Sequence, residues 1–310
     1  MNEIHNVIII GSGPSGWTAA TYLARANLAP LLFAGEKAGG QLMLTTVIEN
    51  YPGFPQGVDG PLLMQNMRDQ AKNFGTQIID KNITKVDFSA RPFKVWSGEE
   101  EFQAKAILIS TGAENVWLGI PGEMKLVGRG VSSCAVCDAA FFKEKNTYVI
   151  GGGDAAMEDT LALTKFAKSV TLVHRRDSFK ASKIMQDRVL ANPKVSVIWN
   201  AVPKEIKGEA KVETLVIEDV NTHEIKELPA DGVFVAIGHK PSTEIFSAQI
   251  QLDEKKFITV RQGLTNYPTM TSVEGVFAAG DCVDYRYKQA ITAAGLGCMA
   301  ALDAQWWLES

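Results

Sequence analysis

The sequence predicts an α/β protein with two Rossmann-like, three-layer dinucleotide-binding domains, one of them inserted within the other. A strand, a glycine loop and a helix follow one another at 6–26, and the same order recurs at 147–167. A further strand followed by glycine, at 275–281, lies far downstream and would complete the first domain. This alternation of strands and helices is typical of parallel sheets that are covered by helices on both faces.

The composition of the chain excludes several classes of protein. The chain has 310 residues, is 46% hydrophobic and carries a net charge of −4, so we expect no nucleic-acid or membrane partner. No segment approaches the ~20 apolar residues that span a bilayer. The first residues lack the pattern of a signal peptide, so we expect a cytoplasmic location. Four cysteines are too few for a disulfide scaffold.

The first glycine loop follows Asn6–Ile10, an apolar segment typical of a buried parallel strand, and precedes Trp17–Ala26, which has helical composition. It matches the G-x-G-x-x-G fingerprint, in which the glycines permit a tight turn, close approach of a pyrophosphate and close helix packing. The start of the helix also attracts anions. The expected binding residues are Gly11, Ser12, Gly13, Pro14, Ser15 and Gly16.

The second glycine loop has the form G-x-G-x-x-A between the predicted strand Thr147–Ile150 and the predicted helix Met157–Ala167. Its residues are Gly151, Gly152, Gly153, Asp154, Ala155 and Ala156. Two such units in one chain indicate two dinucleotide sites or an internally duplicated fold.

A basic run, His174-Arg175-Arg176, follows the next predicted strand, Ser169–Val173. An acidic residue at such a strand end binds the ribose of NAD, whereas guanidinium groups suit a 2′-phosphate. Lys180 would add a third positive charge. A solvated basic turn is the alternative interpretation, but the position of the run favours NADPH.

The spacing of Cys134 and Cys137 is that of a redox C-x-x-C pair, whose side chains can meet over one helical turn. Half of a zinc site is an alternative, but no second C-x-x-C or H-x₃-H pair is present. Structural thiols that never turn over are another. Asp138 is a candidate acid–base group for thiol–disulfide exchange, or the cap of a helix. We expect Cys282 and Cys298 to act as small buried hydrophobes.

The domain boundaries are expected where predicted strands run into glycine. Ala106–Ser110 leads into Thr111-Gly112, and Gly232–Ile237 leads into Gly238. We therefore predict a discontinuous first domain at 1–113 and 246–310 and an inserted second domain at 117–241.

The chain resembles the low-molecular-weight thioredoxin reductases over nearly its whole length. The matching stretches are Gly11–Gly16, Gly39–Leu42, Glu49–Gly53, Cys134–Asp138, Gly151–Ala156, His174–Arg176, Gly280-Asp281, Lys288–Ala290 and Ala293–Gly295. The resemblance implies a homodimer with FAD in the discontinuous domain, and with NADPH in the inserted domain that also carries the C-x-x-C. Ala155 replaces the usual Ser, and Lys180 replaces the usual Arg.

The resemblance also extends the expected cofactor sites. The residues that would line the FAD are Gly35, Glu36, Lys37, Ala38, Gly39, Gly40, Gln41, Leu42, Asn50 and Gly112. Gly280 would be a further cofactor-binding residue, and Asp281 would approach the ribityl–phosphate region. Lys288 would be a further cofactor-binding residue, and Gln289 and Ala290 would lie near the isoalloxazine ring.

The implied activity is thioredoxin-disulfide reduction, with hydride passing from NADPH to FAD and electrons then passing to the Cys134–Cys137 disulfide and to thioredoxin. In this family Cys137 lies nearer the flavin, and Cys134 attacks the thioredoxin disulfide. Alternatives are a flavoprotein oxidase of small dithiols, a reductase of another disulfide, and a non-catalytic redox sensor.

Overall fold

The chain forms two compact units. The computed structural model describes residues 3–45, 47–261, 263 and 266–310. The first unit comprises Met1–Glu114 and Lys240–Ser310, and the second comprises Asn115–His239. The second unit is therefore one uninterrupted segment, whereas the first is assembled from two segments that are distant in sequence.

The secondary structure alternates between strands and helices in both units. The strands are β1 Ile4–Ile10, β2 Leu31–Phe33, β3 Val47–Ile48, β4 Val58–Asp59, β5 Gln77–Ile79, β6 Lys85–Asp87, β7 Phe93–Ser97, β8 Glu100–Ile109, β9 Ala113–Asn115, β10 Val131–Ser132, β11 Asn146–Gly151, β12 Ser169–Val173, β13 Val195–Ile198, β14 Ala201–Lys207, β15 Thr214–Asp219, β16 Ile225–Pro229, β17 Gly232–Ala236, β18 His239–Pro241 and β19 Val276–Ala278. The helices are α1 Pro14–Arg25, α2 Gly60–Asn73, α3 Ala135–Asp138, α4 Asp154–Thr164, α5 Lys183–Leu190 and α6 Ala290–Glu309. Short 3₁₀ turns lie at Gly40–Leu44, Met124–Leu126, Ala139–Phe142 and Glu244–Phe246.

The first unit is built on a seven-stranded sheet. Its order is β5-β2-β1-β8-β7-β6, and β19 pairs with the end of β8 beyond β7. Alternate residues of β1 face opposite sides, so Val7 and Ile9 join one apolar cluster while Ile8 and Ile10 join another. Residues of α1, α2 and α6 cover the Val7 side.

The second unit has a five-stranded parallel sheet of order β10-β17-β11-β12-β13 and a three-stranded antiparallel sheet of β14, β15 and β16. Val149 of β11 packs with residues of α4, including Met157. Its neighbours Tyr148 and Ile150 pack on the other side. The result is three layers of helix, sheet and sheet.

The predicted fold class is confirmed, since both predicted glycine loops join a parallel strand to a helix. The helices begin three residues earlier than predicted, at Pro14 and Asp154. Both residue types are favourable in a first helical turn, Pro because it needs no N–H partner and Asp because of its charge. Among the described residues, no helix combines the length and apolar character needed to cross a membrane.

Candidate active site

The first glycine loop connects β1 to α1. Gly11 has φ +114°, and a Cβ there would overlap Ser110, while a Cβ on Gly16 would overlap the carbonyl of Gly11. Gly13, the N-cap of α1, has open space where its Cβ would be. The first and third glycines are therefore required by close backbone contacts, and the second leaves room for a ligand.

The segment 35–42 is held against this loop by Ser12. The Ser12 hydroxyl donates to the carbonyl of Ala34 at 2.6 Å and accepts from the amide of Gly39 at 3.0 Å. The position of a Cβ on Gly40 lies 3.6 Å from the Cα of Gly13. Two stretches that the sequence analysis assigned to one site therefore meet.

Among the described residues of the first unit, three buried polar side-chain atoms have no hydrogen-bond partner: the Nε1 of Trp17, the Oγ of Ser15 and the Oδ1 of Asp281. Ser15 and Asp281 are neighbours, since a Cβ on Gly280, the residue before Asp281, would lie 2.9 Å from the Cβ of Ser15. Burial raises the pKa of Asp281 to about 6. Orphaned buried polar atoms are costly, so this corner fits a bound group that carries hydroxyls and phosphate, as a flavin dinucleotide does.

Asn50 and Gln289 lie at the start of α6, whereas Gly112 accepts from the amide of Ser242 at 3.0 Å. Gln289 caps this helix in a box with Thr292, and its Oε1 accepts from the Nδ2 of Asn50 at 3.2 Å. A surface depression of about 500 Å³ lies beside Asn50. It is lined by Glu49, Asn50, Tyr51, Pro52, Gly53, Phe54 and Pro55.

The second glycine loop connects β11 to α4. A Cβ on Gly151 would meet that of Ala156 at 2.8 Å, and one on Gly152 would overlap the ring of His174. Gly153, the N-cap of α4, has open space where its Cβ would be. This loop repeats the arrangement of the first loop, because the second glycine of the motif again has open space beside it and again lies at the start of a helix.

The basic run leaves its cations exposed beside this loop. The side chains of Arg175, Arg176 and Lys180 are exposed, and none forms an ion pair or hydrogen bond with another described residue. His174 packs instead against Gly152 and the ring of Phe179. Three unpaired positive charges near a dinucleotide loop can bind a phosphate group.

Cys134 and Cys137 form a disulfide, with Cα atoms 5.3 Å apart. Cys134 caps α3, both cysteines are half-buried, and Val136 between them is 65% exposed. The amide of Ala135 donates to the Oδ1 of Asp159 on α4 at 3.1 Å. The disulfide thus lies at the start of α3, beside the exposed Val136.

Asp138 shares a hydrogen-bond partner with the disulfide. The Ser132 hydroxyl donates to the Oδ2 of Asp138 at 2.6 Å and accepts from the amide of Cys134 at 3.1 Å. Burial raises the pKa of Asp138, and the bond from Ser132 opposes that rise. A carboxyl group with a raised pKa is suited to proton transfer with a thiol.

The structure groups the expected residues into two sets. In the first unit, the N-terminal and C-terminal segments of the chain meet where Ser15 lies next to Gly280. The second unit carries the disulfide, the second glycine loop and the basic run. The other cysteines are apart from the disulfide: Cys282 is fully buried, with a pKa raised by burial to about 11, and Cys298 is half-buried. Within the described part of the chain, no three His, Cys, Asp or Glu side chains cluster as metal ligands.

The sequence analysis missed three side chains that support these groups, namely Ser132, Asp159 and Ser182. Ser132 lies two residues before Cys134, a spacing at which hydroxyls often bond the backbone, so this contact had a local signal. Asp159 and Ser182 act on residues 24 and 28 positions away. No local pattern announces such contacts.

Comparison with known proteins defines the class. The model of the pyridine nucleotide-disulphide oxidoreductases matches residues 5–297, and the chain belongs to this family. The resemblance inferred from the motifs is thereby confirmed. Within the family, a thioredoxin reductase of Rickettsia conorii is 53% identical over 307 residues, covering 98% of each chain.

Two further relatives have the same name. A thioredoxin reductase of Streptomyces clavuligerus is 51% identical over 312 residues, covering 100% of this chain and 96% of its own. The crystal structure of thioredoxin reductase from Streptococcus pyogenes is 40% identical, with a TM-score of 0.93, and the match covers 100% of this chain and 99% of that one.

Proposed function

We propose that this protein is an NADPH-dependent thioredoxin-disulfide reductase that contains FAD. The Cys134–Cys137 disulfide carries the proposal, together with Asp138, whose carboxyl accepts from the Ser132 hydroxyl that also binds the amide of Cys134. Two relatives named thioredoxin reductase, which match this chain over nearly its full length at 53% and 51% sequence identity, support thioredoxin as the substrate. The FAD-binding domain would be the discontinuous first unit, and the NADPH-binding domain would be the inserted second unit.

The FAD would lie against the first glycine loop. The orphaned atoms of Ser15 and Asp281 support this position, because the Ser15 hydroxyl would donate to a phosphate oxygen and the Asp281 carboxyl would accept from a ribityl hydroxyl. The residues proposed to hold it are Gly11–Gly16, Gly35–Leu42, Asn50, Gly112, Gly280, Asp281 and Lys288–Ala290. A flavin spectrum of the purified protein would test the assignment.

The NADPH would lie against Gly151–Ala156, with its 2′-phosphate at Arg175, Arg176 and Lys180. Replacing both arginines by neutral residues should raise KM for NADPH far more than KM for NADH, because each charge-assisted contact contributes about 1.5–3 kcal/mol. Equal effects on the two nucleotides would exclude this phosphate site.

The cysteines and Asp138 perform the protein's own part of the chemistry. Bound FAD supplies the relay of two electrons from the nicotinamide to the disulfide. Reduction of the disulfide converts Cys134 and Cys137 to thiols. The thiolate of Cys134 then attacks the disulfide of thioredoxin, and Cys137 resolves the mixed disulfide, which regenerates the bond between them. Asp138 holds the proton that the leaving sulfur needs.

The division of groups between the units implies a motion. The disulfide and the nicotinamide loop belong to the inserted unit, yet each must reach the flavin of the other unit in turn. We infer that the inserted unit rotates about the segments at 114–117 and 241–244, as the family resemblance implies. Cross-linking the units should slow turnover, and an unchanged rate would argue against rotation.

The family resemblance also supports a homodimer that acts in the cytoplasm. Sedimentation of the purified protein would test the dimer, since a monomer at working concentrations would exclude it.

The deciding experiment is NADPH consumption with and without oxidised thioredoxin. Consumption that depends on thioredoxin supports the proposed reaction. If the protein contains a flavin that NADPH reduces but does not turn over with thioredoxin, the cofactor assignments stand and thioredoxin is not the acceptor.

A further inference from the structure

The segment that carries Arg175 and Arg176 is hydrogen-bonded to the second glycine loop. We call residues 174–182 the arginine loop. The amides of Lys180 and Ala181 donate to the carbonyl of Gly152 at 2.8 and 3.1 Å. The amide and hydroxyl of Ser182 donate to the Oδ1 of Asp154 at 2.9 and 2.8 Å. Four hydrogen bonds therefore join the two loops, and two of them end on a single carboxylate oxygen.

The start of the arginine loop is braced on its other side. The amide of His174 donates to the carbonyl of Ile198, and that of Asn200 donates to the carbonyl of Arg176 at 3.2 Å. The ring of Phe179 packs on Trp199 with centroids 4.3 Å apart. The backbone of the loop is thus fixed at both ends.

The guanidinium groups have no such support of their own. No side-chain contact with another described residue orients Arg175 or Arg176, so the backbone of the loop limits the region that their charges can reach. A cation on a fixed backbone binds a phosphate more tightly than one on a mobile segment, because less freedom is lost on binding.

We propose that Asp154 and Ser182 form a specificity clamp, a pair of positioning residues that holds the arginine loop where its cations meet the 2′-phosphate of NADPH. The clamp rests on the NADPH site proposed above. NADH lacks this phosphate, so the clamp acts on the choice between the nucleotides and not on dinucleotide binding in general. Its two residues touch the loop and not the reacting atoms.

A second role of Asp154 must be separated from the clamp. Its carboxylate lies in the first turn of α4, where negative charge stabilises a helix. Loss of that effect would disturb the glycine loop and weaken NADPH and NADH alike. Ser182 lies outside α4, so its substitution tests the clamp by itself.

The experiment compares Asp154→Ala, Asp154→Asn and Ser182→Ala with the native protein. Calorimetry would give Kd for adenosine 2′,5′-bisphosphate and for AMP, and steady-state kinetics would give KM for NADPH and NADH. The matched control is Ser196→Ala, which removes an exposed hydroxyl that contacts Thr171 at 2.9 Å on β12, within the same unit.

We expect Asp154→Ala to raise Kd for the bisphosphate about tenfold relative to AMP, and Ser182→Ala to raise it about threefold, as for lost bonds to a charged group. The KM ratio of NADPH to NADH should rise in parallel. Asp154→Asn retains an acceptor oxygen and should restore most of the preference. Ser196→Ala should match the native protein.

Two results would overturn the clamp in different ways. Equal weakening of bisphosphate and AMP binding in both Asp154→Ala and Ser182→Ala would show that the pair only supports the fold. A native protein that binds AMP as tightly as the bisphosphate would overturn the NADPH assignment itself, and the clamp with it.

Discussion

At the scale of single residues, the Ser132 hydroxyl connects Cys134 of the disulfide to the carboxyl of Asp138. One oxygen accepts from the backbone of Cys134 and donates to Asp138. The position of the carboxyl and the path of the chain before Cys134 are therefore fixed together.

Replacing Cys134 by Ser separates the two halves of the proposed reaction. The variant should retain flavin reduction by NADPH, because that step does not use the thiol. Thioredoxin turnover should vanish, because the attacking sulfur is absent. Rapid-mixing absorbance and a thioredoxin assay measure the two steps, and normal turnover would exclude Cys134 as the nucleophile.

The protonation of Asp138 gives a prediction about pH. Its pKa is raised by burial, so the group keeps its proton to a higher pH than an exposed carboxyl does. Thioredoxin turnover that needs this proton should fall as the pH rises through that pKa. Ser132→Ala removes a bond that favours the ionised form, so the fall should move to higher pH.

The control for this prediction keeps the hydroxyl. Ser132→Thr should restore the native profile of kcat/KM against pH, and Asp138→Asn should abolish the fall in kcat/KM as the pH rises. If kcat/KM falls at the same pH in Ser132→Ala as in the native protein, Ser132 has no role in the proton transfer.

At the scale of elements, the first loop depends on how closely α6 approaches α1. Gly297 of α6 lies against the backbone of Ser15, so that a Cβ there would overlap the Ser15 carbonyl. The same helix carries Gly295, whose Cβ position is open. Two glycines in one helix therefore have unlike roles.

Gly297→Ala should lower the free energy of unfolding by about 1–3 kcal/mol, because overpacking forces the two helices apart. The flavin content should also fall, since Ser15 would be displaced. Gly295→Ala is the matched control and should stabilise the helix by about 0.5–1 kcal/mol. Urea unfolding and flavin absorbance would measure both effects, and equal stability of the two variants would contradict the close-contact argument.

The sequence predicted what is local and missed what is distant. Both glycine loops and the C-x-x-C were predicted, because each is a short pattern with its own backbone geometry. The clamp between Asp154 and Ser182 was not, because it forms only after the chain has folded. The two C-terminal tryptophans also differ in their environment, since Trp307 packs on Phe277, whereas Trp306 is 51% exposed.

At the scale of the whole molecule, each unit has its own apolar interior. Two clusters, around Val7 and Ile8, belong to the first unit, and two others, around Ile150 and Val149, belong to the second. No cluster mixes described residues from both units. The inserted unit therefore has the core that independent stability requires.

A fragment that spans residues 115–239 should fold alone. It should unfold cooperatively and bind adenosine 2′,5′-bisphosphate with about the affinity of the full chain, because its basic run and glycine loop are complete. Circular dichroism and calorimetry would measure this. A fragment of residues 1–114 lacks β19 and α6 and should not fold, and an unfolded 115–239 fragment would contradict the separation of the cores.

The discontinuity of the first unit also governs the order of events during synthesis. β19 pairs with β8, and α6 packs on α1, yet both follow the inserted unit in the chain. A nascent chain leaves the ribosome from its N-terminus, so the inserted unit can fold while β8 still lacks this neighbour. Ser15 meets Gly280 only after that. A chain halted before residue 276 would therefore present a folded unit with its disulfide, while the flavin site proposed at Ser15 and Gly280 would still be incomplete.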